Sequence, residues 1–331
     1  MIKKTYALVS VMVLAALLLG ACGGGDKKSD KTYTIGVLIQ IPPLEPVLDG
    51  FKAGMSELGY VEGKNVVYVY DGPTNTDAAL KPEAEKLKSK KPDLLFTSGN
   101  PAALAAKEVF AGTDVPIVFA PVISPDQEGL VASLRNPGGN ITGVTLPATS
   151  GKALEWLLQI VPGVQRVYVP YDPQEMAGVQ SLQPLIDAAQ VLNVKLVTAE
   201  GSTPEELDAI TQTIPENVDA AFLLTSENLL ARGTSLVQAA NERRIPVAAP
   251  ALNELWSSGV MIAYAPDLFE IGQQTARLAD KILKGTKPAT LPVEVAEAFL
   301  GINLQTAQTI GVEVPDEILS QAKQIVRPPS E

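Results

Sequence analysis

Two segments of this 331-residue chain set hydroxyl, amide and carboxyl groups directly behind an apolar run: Asp93-Leu94-Leu95-Phe96-Thr97-Ser98-Gly99-Asn100 and Asp219-Ala220-Ala221-Phe222-Leu223-Leu224-Thr225-Ser226-Glu227-Asn228. Each continues through a helix-like stretch into a Pro-led run, Pro116-Ile117-Val118-Phe119 and Pro246-Val247-Ala248-Ala249. One strand–loop–helix–strand unit is therefore used twice. Small polar residues where a buried strand gives way to a helix offer donors and acceptors beside free backbone amides, which is the chemistry of reversible binding to a small, often anionic, group. Ser98, Gly99 and Asn100 from one copy and Thr225, Ser226, Glu227 and Asn228 from the other are candidate contacts on opposite walls of one cleft. The competing reading is that these Ser and Asn residues only cap helices. Other strand exits add Gln40, Val122, Tyr171, Asp172, Glu175 and Asn253 to the candidates.

Catalysis has little to work with. The chain contains no histidine, which removes the commonest general base and the commonest metal ligand and excludes His-based triads and His-rich zinc sites. Ser98 precedes a glycine, but as a nucleophile it would need a lysine or carboxylate as base. No Gly-x-Gly-x-x-Gly follows Ile39, and there is no Gly-Lys-Ser/Thr loop and no Gly-x-Ser-x-Gly elbow. The expectation is no catalytic residue, no cofactor and no metal. With 37 acidic against 26 basic residues, nucleic acid is not expected as a partner either.

The elements that must position these loops follow in chain order. Lys3-Lys4, the apolar residues 7–19 and Leu19-Gly20-Ala21-Cys22 have the layout of an export signal. Its apolar run of about a dozen residues is short of the ~20 a spanning helix needs. Leu-Gly-Ala-Cys resembles the bacterial lipobox, whose cysteine becomes the lipid-bearing first residue. Cys22 is the chain's single cysteine, so no internal disulfide is possible. Without Lys3 and Lys4 the formal charge moves from −11 to −13. The Gly-rich, charged residues 23–31 read as a flexible tether. Apolar strands then alternate with amphipathic helices: strands at 33–39, 65–70, 93–96, 117–120 and 141–144, and again at 166–169, 195–198, 220–224 and 247–249. Leu154, Leu157, Leu158 and Val161 make one helix face after the first series, and helices are expected near 305–310 and 317–325. Trp156 reads as a core residue, and Trp256 is divided between core and cleft rim. The fold class is α/β, two doubly wound parallel-sheet lobes joined by a three-segment hinge. The expected organisation is a signal peptide at 1–21, a tether at 22–32, one lobe from 33–143 with 265–296, and a second from 144–264 with 297–327.

Several stretches carry a family resemblance: Gly50-Phe51-Lys52-Ala53-Gly54, Leu58-Gly59-Tyr60-Val61-Glu62-Gly63-Lys64-Asn65, Val115-Pro116-Ile117-Val118-Phe119-Ala120 and, most specific, Asn136-Pro137-Gly138-Gly139-Asn140-Ile141-Thr142-Gly143-Val144. From about Tyr33 to the C-terminus the chain resembles the ABC-transporter substrate-binding lipoproteins related to tryptophan- and tyrosine-binding proteins. The resemblance implies a type I periplasmic-binding fold whose lobes close on a small ligand, often an aromatic amino acid. It also implies an extracytoplasmic, lipid-anchored receptor, expected to be a monomer, that delivers ligand to a membrane ABC permease. The family's Thr-Pro-Ala-Ala loop corresponds to Asn100-Pro101-Ala102-Ala103, its Tyr-Asn-Pro loop to Tyr171-Asp172-Pro173 and its Thr-Asp-Asn loop to Ser226-Glu227-Asn228. Two segments depart from the pattern. The acidic Gly-Asp-Ser-type loop expected to meet a ligand ammonium is here Pro250-Ala251-Leu252-Asn253, leaving Glu175, Glu227 or Glu254 as substitutes, and the first strand exits into Ile41-Pro42-Pro43-Leu44. The ligand expected is one with an apolar or aromatic body and one polar or anionic end, the anion met by the helix starts after Ser98 and Ser226. A receptor signalling to a membrane partner and an exported enzyme on a similar scaffold are the alternative readings.

Overall fold

A computed structural model describes residues 31–328 except 252 and 254–256, and leaves the side chains of Met176, Ala177 and Glu227 undescribed. The export segment with Cys22, together with Glu254 and Trp256, lies outside the described residues. The first lobe begins with β1 (Tyr33–Ile39), α1 (Glu45–Glu57), β2 (Val66–Val69), α2 (Asp77–Ser89), β3 (Leu94–Ser98), α3 (Asn100–Val109), β4 (Ile117–Val122) and β5 (Ile141–Thr145). Side chains alternate across a strand, so β1 feeds two cores. Val37 and Ile39 pack with Phe51, Met55 and Phe96 on one face, while Leu38 joins Leu87, Leu95 and Phe119 on the other. Phe51 stacks on Phe96 with ring centroids 4.5 Å apart.

The chain then enters a second sheet through α4 (Ser150–Ile160), β6 (Arg166–Tyr171), α5 (Met176–Val191), β7 (Lys195–Glu200), α6 (Pro204–Gln212), β8 (Ala220–Phe222), α7 (Glu227–Leu230), α8 (Gly233–Glu242), β9 (Val247–Ala249) and β10 (Ile262–Pro266). It returns with α9 (Leu268–Leu283) and β11 (Glu294–Val295), and finishes in the second lobe with β12 (Ala298–Asn303), α10 (Leu304–Ile310), α11 (Asp316–Leu319) and β13 (Ala322–Val326). The sheets run β11-β5-β4-β3-β1-β2 and β13-β12-β10-β9-β8-β6-β7. Among the described residues every strand pairing is parallel except β10 with β12. The repeated units are β3–α3–β4 and β8–α7–α8–β9, each a pair of adjacent parallel strands. In the second copy the intervening helix is split in two.

Three passages join the lobes: from β5 to α4, from β10 to α9, and from β11 to β12. At the first, the Thr145 hydroxyl donates to the Val122 carbonyl at 2.8 Å and the Ala296 amide to the Thr145 carbonyl at 2.8 Å, so two of the passages are bonded to each other. At the second, Asp267 caps α9 by accepting from the amides of Phe269 and Glu270. Helix α9 seats on α1 at backbone distance, because a Cβ on Gly272 would lie 2.0 Å from the Val47 carbonyl oxygen and one on Gly50 1.9 Å from that of Phe269.

Three expectations about the elements need correction. Residues 144–145 belong to the first sheet, since Val144 and Thr145 pair with Glu294 and Val295. Residues 265–266 belong to the second, since Ala265 and Pro266 pair with Phe299 and Ala298. The strands run on as far as they have partners. The stretch expected as a helix over 317–325 is helical only to Leu319, after which Ala322–Val326 adds a parallel edge strand to β12. The unpaired edge of β12 decides this, a feature of the sheet that residues 322–326 do not themselves record.

Candidate functional site

The candidates on the first lobe are mostly committed to the fold. Ser98 ends β3 fully buried, and its hydroxyl has no hydrogen-bond partner. Gly99 turns with φ of 98°, and a Cβ there would meet Gln40 Oε1 at 2.7 Å. Only glycine suits that turn. Gln40 folds over it and donates from Nε2 to Asp77 Oδ1 at 3.1 Å. Asn100 is not the cap of α3, which starts after Gly99 with no side-chain cap. Its amide instead grips the backbone of Ile123 from both ends, Nδ2 donating to the carbonyl and Oδ1 accepting from the amide, each at 2.9 Å. Val122 is corrected as a cleft residue. Its side chain is buried in the core with Phe110 and Phe119, and only its carbonyl reaches the hinge.

On the second lobe the candidates gather into one network. Asp172, 3% exposed, accepts from the Gln174 amide, the Ser202 hydroxyl and Asn228 Nδ2. Glu175 accepts from the Ser226 hydroxyl and, at 3.4 Å, from the Asn228 amide. Ser226 also accepts from the Leu229 amide at 3.3 Å. Ser226 is thus the cap of the four-residue α7, and Asn228 an exposed bridge between two carboxylates. Tyr171 ends β6, half-buried, and donates to Glu200 on the neighbouring β7, whose carboxylate holds the phenol above the usual tyrosine range. Asn253 is exposed, and its carbonyl accepts from Ser257. The side chain of Glu227 lies outside the described residues.

The carboxyl ends of β4, β8, β9 and β10 and the first hinge passage enclose a cavity of about 200 Å³. Ile123, Leu146, Pro147, Ala148, Pro250 and Pro266 give its apolar lining, and Ser124, Thr149, Ser150, Ser181 and Thr225 its hydroxyls. Gln180 and Pro184 complete it from α5. Pro184 has no N–H for the Gln180 carbonyl one turn earlier. Among the described residues no lining side chain is charged. Of the sequence-derived candidates whose side chains are described, Thr225 alone lines this space, while Asn100 positions Ile123 at its wall. The remaining lining residues were missed, although Thr149-Ser150 ahead of the apolar face of α4 carries the ordinary helix-start signature. No hydrogen bond joins Ser98 or Asn100 to Ser226 or Asn228 among the described residues.

Comparison with known proteins agrees with this architecture. A tyrosine-binding protein of Clostridioides difficile (strain R20291) is 28% identical over 325 residues, covering 94% of this chain and 93% of that protein. Among solved structures, the ligand-free, open form of a substrate binding protein with adhesive properties from Clostridium difficile superposes with a TM-score of 0.80 at 23% identity, over 90% of this chain and all of that one. An ABC domain in complex with L-Trp from Streptococcus pneumonia does so with a TM-score of 0.74 at 23% identity, over 89% of this chain and all of that one. The fold is that of the type I periplasmic binding proteins. The family described as ABC transporter substrate binding protein matches residues 33–326, and with nearly all of the folded chain inside that span the protein belongs to this family.

Proposed function

We propose that the two lobes close on an aromatic or apolar amino acid, or a related carboxylate, with the ligand's body in the hinge-side cavity, and that the chain hands this ligand to a membrane ABC permease. The observation that carries the reading is the cavity itself, walled by both lobes and the hinge and lined by apolar groups, hydroxyls and the Gln180 amide, with no charged side chain among the described residues. Such a lining suits an uncharged ring, because an unpaired charge buried there costs several kcal/mol. The relatives named for tyrosine and L-Trp add support for an aromatic body. The Asp172–Glu175 network brings carboxylates beside the cavity residue Thr225, since Ser226, bonded to Glu175, directly follows it. It stands in for the missing acidic loop at 250–253 as the place for a ligand ammonium.

Binding here is without catalysis. Ser98, the one serine with a nucleophile-like setting, is sealed in the core with no base bonded to it. The receptor is a monomer held outside the cell membrane by lipid on Cys22, and closure is selected by contacts to both walls. Native mass spectrometry of the freshly purified protein, followed by calorimetry of the unfolded, stripped and refolded protein with L-tyrosine and L-tryptophan, tests the reading. Recovery of an aromatic amino acid or acid is expected. A co-purified sugar or peptide, with no heat from either amino acid, would overturn it.

A further inference from the structure

Helix α4 begins at the cavity wall, and its first turn is not capped by the protein. Thr149 occupies the cap position with φ −103° and ψ −14° and makes no side-chain cap bond. Helical bonding starts with the Ala153 amide donating to the Thr149 carbonyl at 2.9 Å, so the amides of Ser150, Gly151 and Lys152 lie ahead of the first acceptor. The Thr149 side chain is itself a second observation. It is 7% exposed, lines the cavity, and its hydroxyl makes no hydrogen bond among the described residues.

A third comes from counting protons. Ser150 Oγ and Ser181 Oγ are 2.9 Å apart, both line the cavity, and Ser181 Oγ also accepts from the Thr225 amide at 3.4 Å. Two hydroxyls carry two protons, and their mutual bond consumes one. Neither hydroxyl has another acceptor among the described residues, so whichever way that bond runs, one proton is left to be given away. The pair can form because Gly151 lets α4 approach α5 closely: a Cβ at Gly151 would stand 3.0 Å from Ala188 Cβ and 3.1 Å from the Pro184 carbonyl oxygen. This wall therefore offers donors, the Thr149 hydroxyl, one serine proton and the first-turn amides, and no carboxylate opposes them among the described lining residues.

We propose that this corner is a carboxylate subsite: the ligand's carboxylate sits at the start of α4 and accepts the hydroxyl protons of Thr149 and of the Ser150–Ser181 pair, with the helix dipole adding to the attraction. This rests on the ligand reading above and moves the anion away from where the sequence placed it. The helix after Ser98 carries Pro101, which has no amide proton, and Ser226 already caps the four-residue α7.

Calorimetry with four probes, L-tyrosine, L-tryptophan and their carboxamides, decides the matter. The wild-type protein should prefer each acid to its amide by about 10- to 100-fold, the range for hydrogen bonds to a charged group. Thr149→Val and the double variant Ser150→Ala/Ser181→Ala should each cut that preference about tenfold, acid affinity falling more than amide affinity, while Thr149→Ser should keep it. Equal binding of acid and amide to the wild type, or a preference that survives both hydroxyl-removing variants, would overturn the subsite and leave the cleft reading standing. If none of the four probes binds, the ligand reading fails and the subsite with it.

Discussion

Replacing Asn100 with alanine separates a positioning role from a ligand contact. The side chain makes two hydrogen bonds, both to the backbone of Ile123 and both 2.9 Å long, across a half-buried contact. Each is worth a net of about 0.5–1.5 kcal/mol, so the loss is about 2 kcal/mol in all. For a folding unit of lobe size that lowers the melting temperature by about 4–8 °C. Asn100→Asp should be no better than alanine, because one carboxylate oxygen can still accept from the Ile123 amide while the other faces the Ile123 carbonyl with no proton to give. Affinity should fall as well, but through Ile123, which the clamp holds at the cavity wall. The assay is thermal melting of the ligand-free protein followed by both variants beside the wild type, with calorimetry on the same samples. An unchanged melting temperature together with a tenfold or greater loss of affinity would refute the reasoning and make Asn100 a direct ligand contact.

Gly272→Ala should destabilise the protein by about 3 kcal/mol, the upper end for overpacking, because the added methyl would stand 2.0 Å from the Val47 carbonyl oxygen; denaturant unfolding measures it. Burial pushes the Tyr168 phenol up to about 12, and its hydroxyl donates to the Ile210 carbonyl at 2.7 Å. The folded state favours the protonated phenol, so this contribution is complete below the unfolded value of about 10 and is lost as pH rises through about 12. Stability measured against pH should fall over that alkaline window, and less steeply in Tyr168→Phe. Cys22→Ser should abolish incorporation of labelled fatty acid and move the protein out of the membrane fraction or leave it unprocessed, read by fractionation and metabolic labelling.

Much of the architecture is written in short-range pattern. The near-continuous apolar run Ile35, Val37, Leu38, Ile39 demands a strand covered on both faces, and both covering layers are present. Gly59, with φ of 95°, ends α1 where the sequence stops it. Repetition of the strand–loop–helix–strand unit gives the two sheets, and the resemblance of residues 136–144 gives the family. These are properties of residues a few positions apart, set by backbone geometry and by which face is apolar.

The site was not legible in the same way. Asn100 looked like a cap or a ligand contact, and it is a clamp on a residue 23 positions away. Ser226 and Glu175 meet across 51 positions, and Ser150 and Ser181 across 31. Val122 was credited to the cleft because it follows β4's apolar run, yet the register shift after Phe119 leaves its side chain in the core. Thr149-Ser150 was visible as a helix start, but that its hydroxyls face a cavity depends on the closeness of α4 and α5 and on the ends of β4 in the first sheet and of β8, β9 and β10 in the second. Local periodicity fixes which elements form and which face is buried. Which polar groups meet, and which are left with a proton to give, depends on distances between elements distant in the chain, and those are decided when the lobes pack.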